Sequence, residues 1–205
     1  FETLDIDYRN VCYVKQVHKD DIILVEKGFD FFNAANTLEA DALLTKNTYL
    51  TLMTYHADCI PVYLFDKKKN IIGLIHSGWR GTIKRITKKA INMMISLFGC
   101  LPSDILVGIG PGICKDHFEV GIDVFCEFEK VFDNFDGFFD SNRYYIDLKE
   151  IIKKDALDCG IFPDNIVVCD ECTYENQDLF YSFRRDRESE ERLGGMVALI
   201  RMVRE

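Results

Sequence analysis

Three stretches hold the side chains with the most chemistry in this chain. Two are His56–Cys59 (HADC) and His76–Gly81 (HSGWRG), and the third is Gln16–His18 (QVH). Each stretch lies at the end of an apolar, strand-like run. Imidazole and thiolate groups bind zinc, and they also act as base and nucleophile in hydrolases. The trio His18, Cys59 and His76 therefore predicts a metal site or a cysteine nucleophile, and an enzyme is the first hypothesis.

Each member of the trio also has an ordinary explanation. A lone histidine at a strand end is often a surface or hydrogen-bonded residue, and Cys59 taken alone fits a hydrophobic core. His18 precedes Cys59 by 41 residues and Cys59 precedes His76 by 17, which matches no short zinc-binding pattern. Open sites gather where strands end, so the shared placement favours one site. A catalytic zinc takes three protein ligands and leaves a fourth position open, as this trio would.

The segment after His76 predicts a contact for an anion. Gly78–Thr82 (GWRGT) leads into a helix predicted over Thr82–Phe98. The N–H groups and dipole at such a helix start attract anions, and an arginine can hold phosphate or carboxylate through two hydrogen bonds. The alternative is a tight turn with Trp79 packed in the core. We expect Arg80 to be the leading anion contact.

Four other features have plainer interpretations. Gly108–Ile113 (GIGPGI) lacks the spacing of a dinucleotide-binding loop and is expected to form a pocket wall. Arg184–Arg187 (RRDR) reads as a solvated charge run or as an anion contact. Cys169–Cys172 (CDEC) has no second C-x-x-C or H-x-H pair for a structural zinc, so we expect strand-end cysteines there. We expect His117 to be structural or on the surface.

Composition excludes several classes of function. The chain has 205 residues and a net charge of −9, which argues against a nucleic-acid surface while leaving room for a small anionic substrate. No run approaches the roughly 20 apolar residues of a membrane-spanning helix. The N-terminus shows no signal-peptide pattern, so we expect a cytoplasmic protein whose eight cysteines are reduced. One domain over residues 1–205 is predicted, with a monomer favoured.

Hydrophobic periodicity predicts a mixed-sheet α/β or α+β domain. The predicted strands are Val11–His18, Ile22–Glu26, Asp41–Thr45, Tyr49–Tyr55, Pro61–Asp66, Ile71–His76, Ile105–Ile109, Ile166–Cys169, Leu179–Arg184 and Met196–Val203. The predicted helices are Thr82–Phe98, Ile122–Phe132 and Leu148–Cys159, the last with Asp147 as its N-cap.

Six short motifs carry a resemblance to a known family. They are QVH at 16–18, DAL at 41–43, ADCIP at 57–61, HSGWRG at 76–81, GPGI at 110–113 and SFRRD at 182–186. In this order they resemble the bacterial laccase-domain family, also called the multicopper polyphenol oxidoreductase or purine nucleoside phosphorylase family. The resemblance runs from about residue 15 to the C-terminus. The sequence departs from the family pattern at 188–192, where a shorter turn is common.

The resemblance implies a layered α/β/β/α fold, akin to cytotoxic-necrotizing-factor-like hydrolases. It also implies that His18, Cys59 and His76 bind zinc, with copper as the other metal associated with the family. The implied activities are phosphorolysis of adenosine, inosine and S-methyl-5′-thioadenosine, and deamination of adenosine. Nucleoside and phosphate would then be the partners. Some members resemble a peptidoglycan-precursor editing amidase instead.

Histidine content decides part of this choice. Multicopper oxidation needs many imidazoles, and the chain has four histidines. One site of two histidines and one cysteine suits zinc, which has no redox chemistry. We therefore expect group transfer or hydrolysis, with His18, Cys59, His76 and Arg80 as the catalytic residues. Asp58 is a candidate proton carrier or a turn-forming carboxylate. A metal-free hydrolase with Cys59 as nucleophile is the main alternative.

Overall fold

Twelve strands and five helices lie within the part of the chain that the structure describes. The computed structural model describes residues 2–4, 6–26, 38–133, 135, 137–189 and 194–203. The strands are β1 (Val11–Cys12), β2 (Ile22–Leu24), β3 (Ala42–Thr45), β4 (Thr51–His56), β5 (Ile60–Asp66), β6 (Ile71–Ser77), β7 (Ile105–Ile109), β8 (Glu119–Val120), β9 (Gly137–Asp140), β10 (Arg143–Ile146), β11 (Ile166–Val168) and β12 (Met196–Arg201). The helices are α1 (Trp79–Ile83), α2 (Ile86–Phe98), α3 (Ile122–Val131), α4 (Leu148–Asp158) and α5 (Phe183–Asp186).

A mixed six-stranded sheet organises the fold, in the order β11-β7-β5-β6-β3-β2. Its outer pairs, β11 with β7 and β3 with β2, are parallel. The inner pairs are antiparallel, and β5 and β6 form a hairpin. The side chain of Asp66 closes the hairpin turn by accepting hydrogen bonds from the N–H groups of Lys68 and Lys69. The residues of this turn, DKKKN at 66–70, are all polar, as is typical of a hairpin turn.

Residues alternate between the two faces of this sheet, because side chains along a strand point to opposite sides. One face, with Val62 and Ile75 at its centre, packs with α2 and α4 in the main hydrophobic core. The other face, with Leu43 and Leu74, packs on a three-stranded sheet of order β1-β4-β12. Helices, one sheet and a second sheet thus form successive layers.

The mixed-sheet α+β fold class is confirmed. The outer helical layer of the implied α/β/β/α arrangement is not among the described elements. A third small sheet, β8-β10-β9, packs beside α3 and was not foreseen. No described helix has the length and apolar character needed to cross a membrane.

The predicted helix Thr82–Phe98 is wrong as one element. It is divided into α1 and α2 at Arg85, whose backbone is left-handed with φ 58°. The Arg85 guanidinium donates hydrogen bonds to Asp155 and Asp158 on α4. These tertiary contacts accompany a break that helical periodicity alone does not reveal.

Two predicted strands are also wrong, wholly or in part. Leu179–Arg184 alternates like a strand, yet it forms a turn and then α5, whose N-cap Ser182 accepts a hydrogen bond from the Arg185 N–H. Local capping by serine outweighs the alternating pattern. The predicted strand Val11–His18 shrinks to β1, and His18 has a left-handed backbone with φ 56°. The N-cap predicted at Asp147 is confirmed.

Gly112 shows how closely the loop after β7 approaches the strand ends. A Cβ atom at Gly112 would lie 2.9 Å from the carbonyl oxygen of Asp58 and against the side chain of Ile60. A Cβ atom at Gly108 would meet only ordinary contacts, the nearest being Tyr63 Cβ at 3.5 Å. The glycine at position 112 is therefore required by the close packing of this loop.

We predict that Gly112→Ala lowers the free energy of unfolding by about 1–3 kcal/mol, because the added methyl group overpacks the loop. Gly108→Ala, the matched control on β7, is expected to change the free energy of unfolding by less than about 1 kcal/mol. Urea unfolding followed by circular dichroism measures both values. Equal stability of the two variants contradicts the prediction.

Candidate active site

Three separate strand ends bring His18, Cys59 and His76 together. His18 lies in the loop between β1 and β2, Cys59 directly precedes β5, and His76 is near the end of β6. Their potential ligand atoms all lie within 4.8 Å of one another. His76 is paired with Pro61 in the β5–β6 hairpin, so the sheet itself places it beside Cys59. The structure therefore assembles the trio that the sequence singled out.

The trio is open on one side. His76 is buried, Cys59 is partly buried and His18 is exposed. The rings of His18 and His76 meet edge to face, with their centroids 4.8 Å apart. A group bound by the three side chains would therefore be reachable from the pocket at the His18 side.

Asp41 holds two members of the trio in place, a role that the sequence did not reveal. Its fully buried carboxylate accepts hydrogen bonds from the N–H groups of Val17, His18 and Lys19, at 2.7–3.2 Å. The same carboxylate lies 2.8 Å from Nδ1 of His76. This contact leaves Nε2 of His76 for Cys59 or for a metal. The only sequence signal was the motif DAL at 41–43.

The protonation of the trio is tuned by burial and by mutual hydrogen bonds. Burial raises the pKa of the Cys59 thiol, but hydrogen bonds with His18 and His76 outweigh it and lower the pKa to about 7. Burial lowers the pKa of His76, but the hydrogen bonds with Asp41 and Cys59 prevail and raise it to about 9. In the metal-free protein, Cys59 and His76 thus form a thiolate–imidazolium pair between about pH 7 and 9.

Asp58 anchors the turn that presents Cys59. It has a left-handed backbone with φ 85°. One carboxylate oxygen accepts a hydrogen bond from the Thr173 hydroxyl at 2.7 Å, and the other accepts from the Arg184 N–H at 2.7 Å. Both oxygens are therefore engaged by the protein, which favours the turn-forming interpretation over the proton carrier.

His56 lies beside the site and is occupied by other partners. Its ring is hydrogen-bonded to the Thr54 hydroxyl at 2.7 Å and to the carbonyl of Cys59 at 3.0 Å. Burial lowers the pKa of His56 to about 3, so the ring is neutral. His56 therefore lines the pocket but is not a member of the trio.

A pocket of about 880 Å³ opens over the trio. Its size is within the range of small-molecule sites. Aromatic and aliphatic side chains form much of the wall, together with four basic residues. The lining includes Tyr13, Trp79, Phe118, Phe183, Lys15, Arg80, Arg184 and Arg187.

Arg80 faces this pocket and stacks on Trp79, with 4.2 Å from its guanidinium carbon to the ring centroid. Among the described residues, no carboxylate lies within ion-pair distance of Arg80. Trp79 is thus a pocket-wall residue that packs only partly against the core. The helix that starts here, α1, has five residues, so the long helix dipole expected at this turn is absent.

The arginine run near the pocket is structural in large part. Arg184 donates hydrogen bonds to the carbonyls of His117 and Glu119. Arg185 forms a two-point pair with Asp186 and donates to the carbonyls of Thr173, Tyr174 and Phe180. The prediction of a solvated charge run is therefore wrong for Arg184 and Arg185, whose guanidinium groups bind backbone carbonyls of other segments of the chain. The sequence departs from the family pattern at 188–192, and residues 190–192 of that stretch lie outside the described residues.

The donor set of the trio fits zinc. Two imidazoles and one thiolate are zinc ligands, and a carboxylate on the far ring nitrogen of a ligating histidine is a common supporting contact. Gly78 leaves room for the trio, because a Cβ there would lie 3.0 Å from Cys59 Sγ and 3.2 Å from the His18 ring. His18, Cys59 and His76 are therefore suited to hold one metal ion and leave a position open toward the pocket.

Comparison with known families identifies the chain. The family described as "Multi-copper polyphenol oxidoreductase laccase" matches residues 1–203. The chain belongs to this family. Its architecture agrees: YfiH from Bacillus licheniformis and YlmD from Geobacillus stearothermophilus each superpose with a TM-score of 0.90 at 30% identity. Both superpositions cover 98% of this chain, with 78% of the first structure and 76% of the second.

Several relatives in this family carry names that state an activity. A protein of Clostridium acetobutylicum named purine nucleoside phosphorylase is 34% identical over 90% of this chain and 75% of its own. One of the same name from Bacteroides thetaiotaomicron is 32% identical over 83% of this chain and 66% of its own. An adenosine deaminase from an unknown prokaryotic organism is 30% identical over 89% and 72%.

We predict that Cys59 of the metal-free protein is alkylated by iodoacetamide with an apparent pKa of about 7. The rate should rise as the pH rises through 7 and then level off, because the thiolate is the reacting form. In His76→Ala the midpoint should shift to higher pH. Burial still raises the pKa of the Cys59 thiol there, whereas the hydrogen bond from His76 that lowers this pKa is lost. Mass spectrometry of the Cys59 peptide measures the rates. A wild-type midpoint at or above the ordinary value of about 8.5 contradicts the assignment.

We predict that Asp41→Asn weakens metal binding at the trio by about 10–100-fold, the usual effect of losing a supporting contact to a ligand. Glu39→Gln is the matched control, because Glu39 is near in sequence but forms a surface ion pair with Lys15. Competition with a chromophoric chelator measures both affinities. Equal affinities in the two variants exclude the positioning role of Asp41.

Proposed function

We propose that the protein is a zinc-dependent purine nucleoside phosphorylase that acts on adenosine, inosine and S-methyl-5′-thioadenosine and also deaminates adenosine. The observation that carries the proposal is the His18–Cys59–His76 trio, open to a pocket in which Arg80 stands beside an aromatic wall. The names of the relatives from Clostridium acetobutylicum and Bacteroides thetaiotaomicron point to the same reaction.

The pocket suits a purine nucleoside and a phosphate. Two flat aromatic side chains that line the pocket, Trp79 and Phe183, offer surfaces against which a purine can stack. Arg80 supplies a planar, permanently charged group that can hold two phosphate oxygens at once. Stacking on Trp79 limits the motion of Arg80, so less conformational freedom is lost on binding phosphate.

In phosphorolysis, the C1′–N9 bond of the nucleoside breaks while a phosphate oxygen bonds to C1′. The base leaves with the electron pair of the broken bond and takes up a proton from phosphate or solvent, and the sugar 1-phosphate is the second product. When bound by the trio, zinc supplies Lewis acidity toward one oxygen atom of phosphate or water. Arg80 orients the phosphate toward C1′, and the apolar walls exclude bulk water from the competing hydrolysis.

In deamination, water replaces the exocyclic amine at C6 of adenine, and ammonia leaves. The same trio would serve this reaction, because one Lewis acid can either activate water or orient phosphate. The adenosine deaminase of similar sequence supports this second activity. One site would therefore serve both reactions, with phosphate directed at C1′ in phosphorolysis and water directed at C6 in deamination.

The placement of the four histidines argues against laccase chemistry. His18 and His76 belong to the trio, His56 is bound to Thr54 and Cys59, and His117 lies in a different cluster. A blue-copper centre together with a trinuclear cluster needs far more imidazoles than converge here. Copper remains a metal that the trio can bind, but multicopper oxidation does not follow from it.

A cysteine hydrolase is the second candidate, and one observation favours it. Cys59, His76 and Asp41 are joined by hydrogen bonds in the order of a nucleophile, a base and an orienting carboxylate. Such a triad needs no metal and would attack the carbonyl carbon of an amide, as in an editing amidase for peptidoglycan precursors. Removing metal separates the two functions, because only the zinc enzyme then loses its activity.

We predict that Cys59→Ala lowers phosphate-dependent release of adenine from adenosine by at least about a thousandfold, since a ligand of the activating metal is lost. Cys126→Ala, a control on α3, should keep wild-type turnover.

Arg80→Ala is expected to raise the KM for phosphate by at least about tenfold, because the two-point contact to phosphate is lost. Arg80→Lys keeps the positive charge and should recover part of the affinity for phosphate.

Liquid chromatography of adenine, hypoxanthine and inosine, with and without phosphate, measures these rates. Chelation should abolish release of the base, and added zinc should restore it. Full activity in Cys59→Ala refutes the scheme. Chelator-resistant hydrolysis of a muropeptide precursor, lost in Cys59→Ala, assigns the cysteine hydrolase instead.

A further inference from the structure

A second cluster of metal-binding side chains lies outside the trio. Cys114 and His117 come from the turn after the β7 loop, and Cys172 and Glu175 come from the turn after β11. The potential ligand atoms of these four residues all lie within 4.8 Å of one another. None of the four has a place in the proposed reaction.

The spacing of these atoms matches a tetrahedral metal site. Nδ1 of His117 lies 3.2 Å from Cys114 Sγ, 3.9 Å from Cys172 Sγ and 3.3 Å from Glu175 Oε1. Cys114 Sγ lies 3.9 Å from Glu175 Oε1. Zinc bond lengths of about 2.0–2.3 Å at tetrahedral angles require about 3.3–3.8 Å between ligand atoms, and the four separations lie within about 0.1 Å of that range. The four side chains therefore surround a space of the right size for one ion.

Each half of the cluster is a C-x-x-(H or E) pair on one tight turn. The N–H groups of His117 and Phe118 donate to the carbonyl of Cys114, and the Asn176 N–H donates to the carbonyl of Cys172. Such turns place residues i and i+3 on the same side. The sequence contains the C-x-x-C Cys169–Cys172, but the structure pairs Cys172 with a different cysteine.

Contacts around the cluster hold its two halves in register. Gly112 and Cys172 form an isolated β-bridge, and the Thr173 N–H donates to the Gly112 carbonyl at 3.2 Å. The Cys114 N–H donates to the sulfur of Cys172 at 3.2 Å. The ring of His117 stacks on Tyr174, with 4.3 Å between centroids. These contacts preorganise the four ligands, as supporting contacts do in metal sites.

We propose that Cys114, His117, Cys172 and Glu175 form a second, structural zinc site. Four protein ligands close the coordination shell, in contrast to the open trio, and two thiolates favour zinc over magnesium or calcium. Cys172 is buried, whereas Glu175 is exposed, so Glu175 is the ligand that solvent can most easily replace.

The second site would fasten one wall of the pocket. The Ile113 N–H donates to the carbonyl of Asp58, and the Thr173 hydroxyl donates to the Asp58 carboxylate. Ile113 and Thr173 each directly adjoin a proposed ligand. A metal at this position would therefore hold together the two turns that support Asp58, the residue before Cys59.

Metal content of the reduced, zinc-loaded protein tests the proposal. Wild type is expected to hold two equivalents, Cys59→Ala one, and the double variant Cys114→Ser/Cys172→Ser one. Cys169→Ser is the matched control and should hold two, because Cys169 completes the C-x-x-C but is outside the cluster. One equivalent in wild type together with none in Cys59→Ala overturns the proposal, as does loss of an equivalent in Cys169→Ser.

Cobalt substitution counts the thiolates in each site. In Cys59→Ala, the sulfur-to-cobalt charge-transfer absorbance should keep two of the three thiolate contributions, and in the double variant one. Glu175→Gln, an exposed substitution that leaves both cysteines in place, should fold and lower affinity at this site by at least about tenfold. Unchanged affinity in Glu175→Gln, or a Cys114–Cys172 disulfide that persists under reduction and excludes metal, overturns the assignment.

Discussion

The buried carboxylate of Asp41 is the contact on which the geometry of the site depends. It accepts hydrogen bonds from three backbone N–H groups of the loop that contains His18, and it also binds the ring of His76. A fully buried charge is costly unless it is satisfied by hydrogen bonds, so the loop and the histidine ring are each held where they satisfy it. The left-handed backbone of His18 is sustained by this arrangement. One carboxylate thus unites β3, β6 and the loop after β1.

A second carboxylate performs a similar task for the thiol. Asp58 has a left-handed backbone, an unfavourable state for a residue with a side chain, and binds Thr173 and Arg184 through its two oxygens. Thr173 and Arg184 belong to the C-terminal third of the chain, far from Asp58 in sequence. The turn that presents Cys59 is therefore held by hydrogen bonds from distant segments, and the proposed second metal site would hold those segments together.

Sequence patterns predicted the elements that depend on local periodicity. The strands that form β5 and β6, the helix that begins at Leu148 and its N-cap at Asp147 follow from alternation, helical periodicity and capping, which act over a few residues. The break at Arg85 and the short helix after Ser182 were missed. Both depend on side-chain hydrogen bonds, to distant carboxylates in one case and at a helix start in the other, which hydrophobic periodicity does not register.

The sequence by itself determined the residue types of the site: two histidines and a cysteine at strand ends, an arginine in a glycine-rich turn, and too few histidines for multicopper chemistry. Tertiary structure decided which of them meet. It brought His18 to Cys59 across 41 residues and placed His117 beside Cys172. It also bound the ring of His56 to the Thr54 hydroxyl, so that His56 is not a member of the trio. The physical reason is that ligand geometry is a property of distances in space. Sheet register and buried carboxylates set those distances through contacts between segments that no local pattern connects.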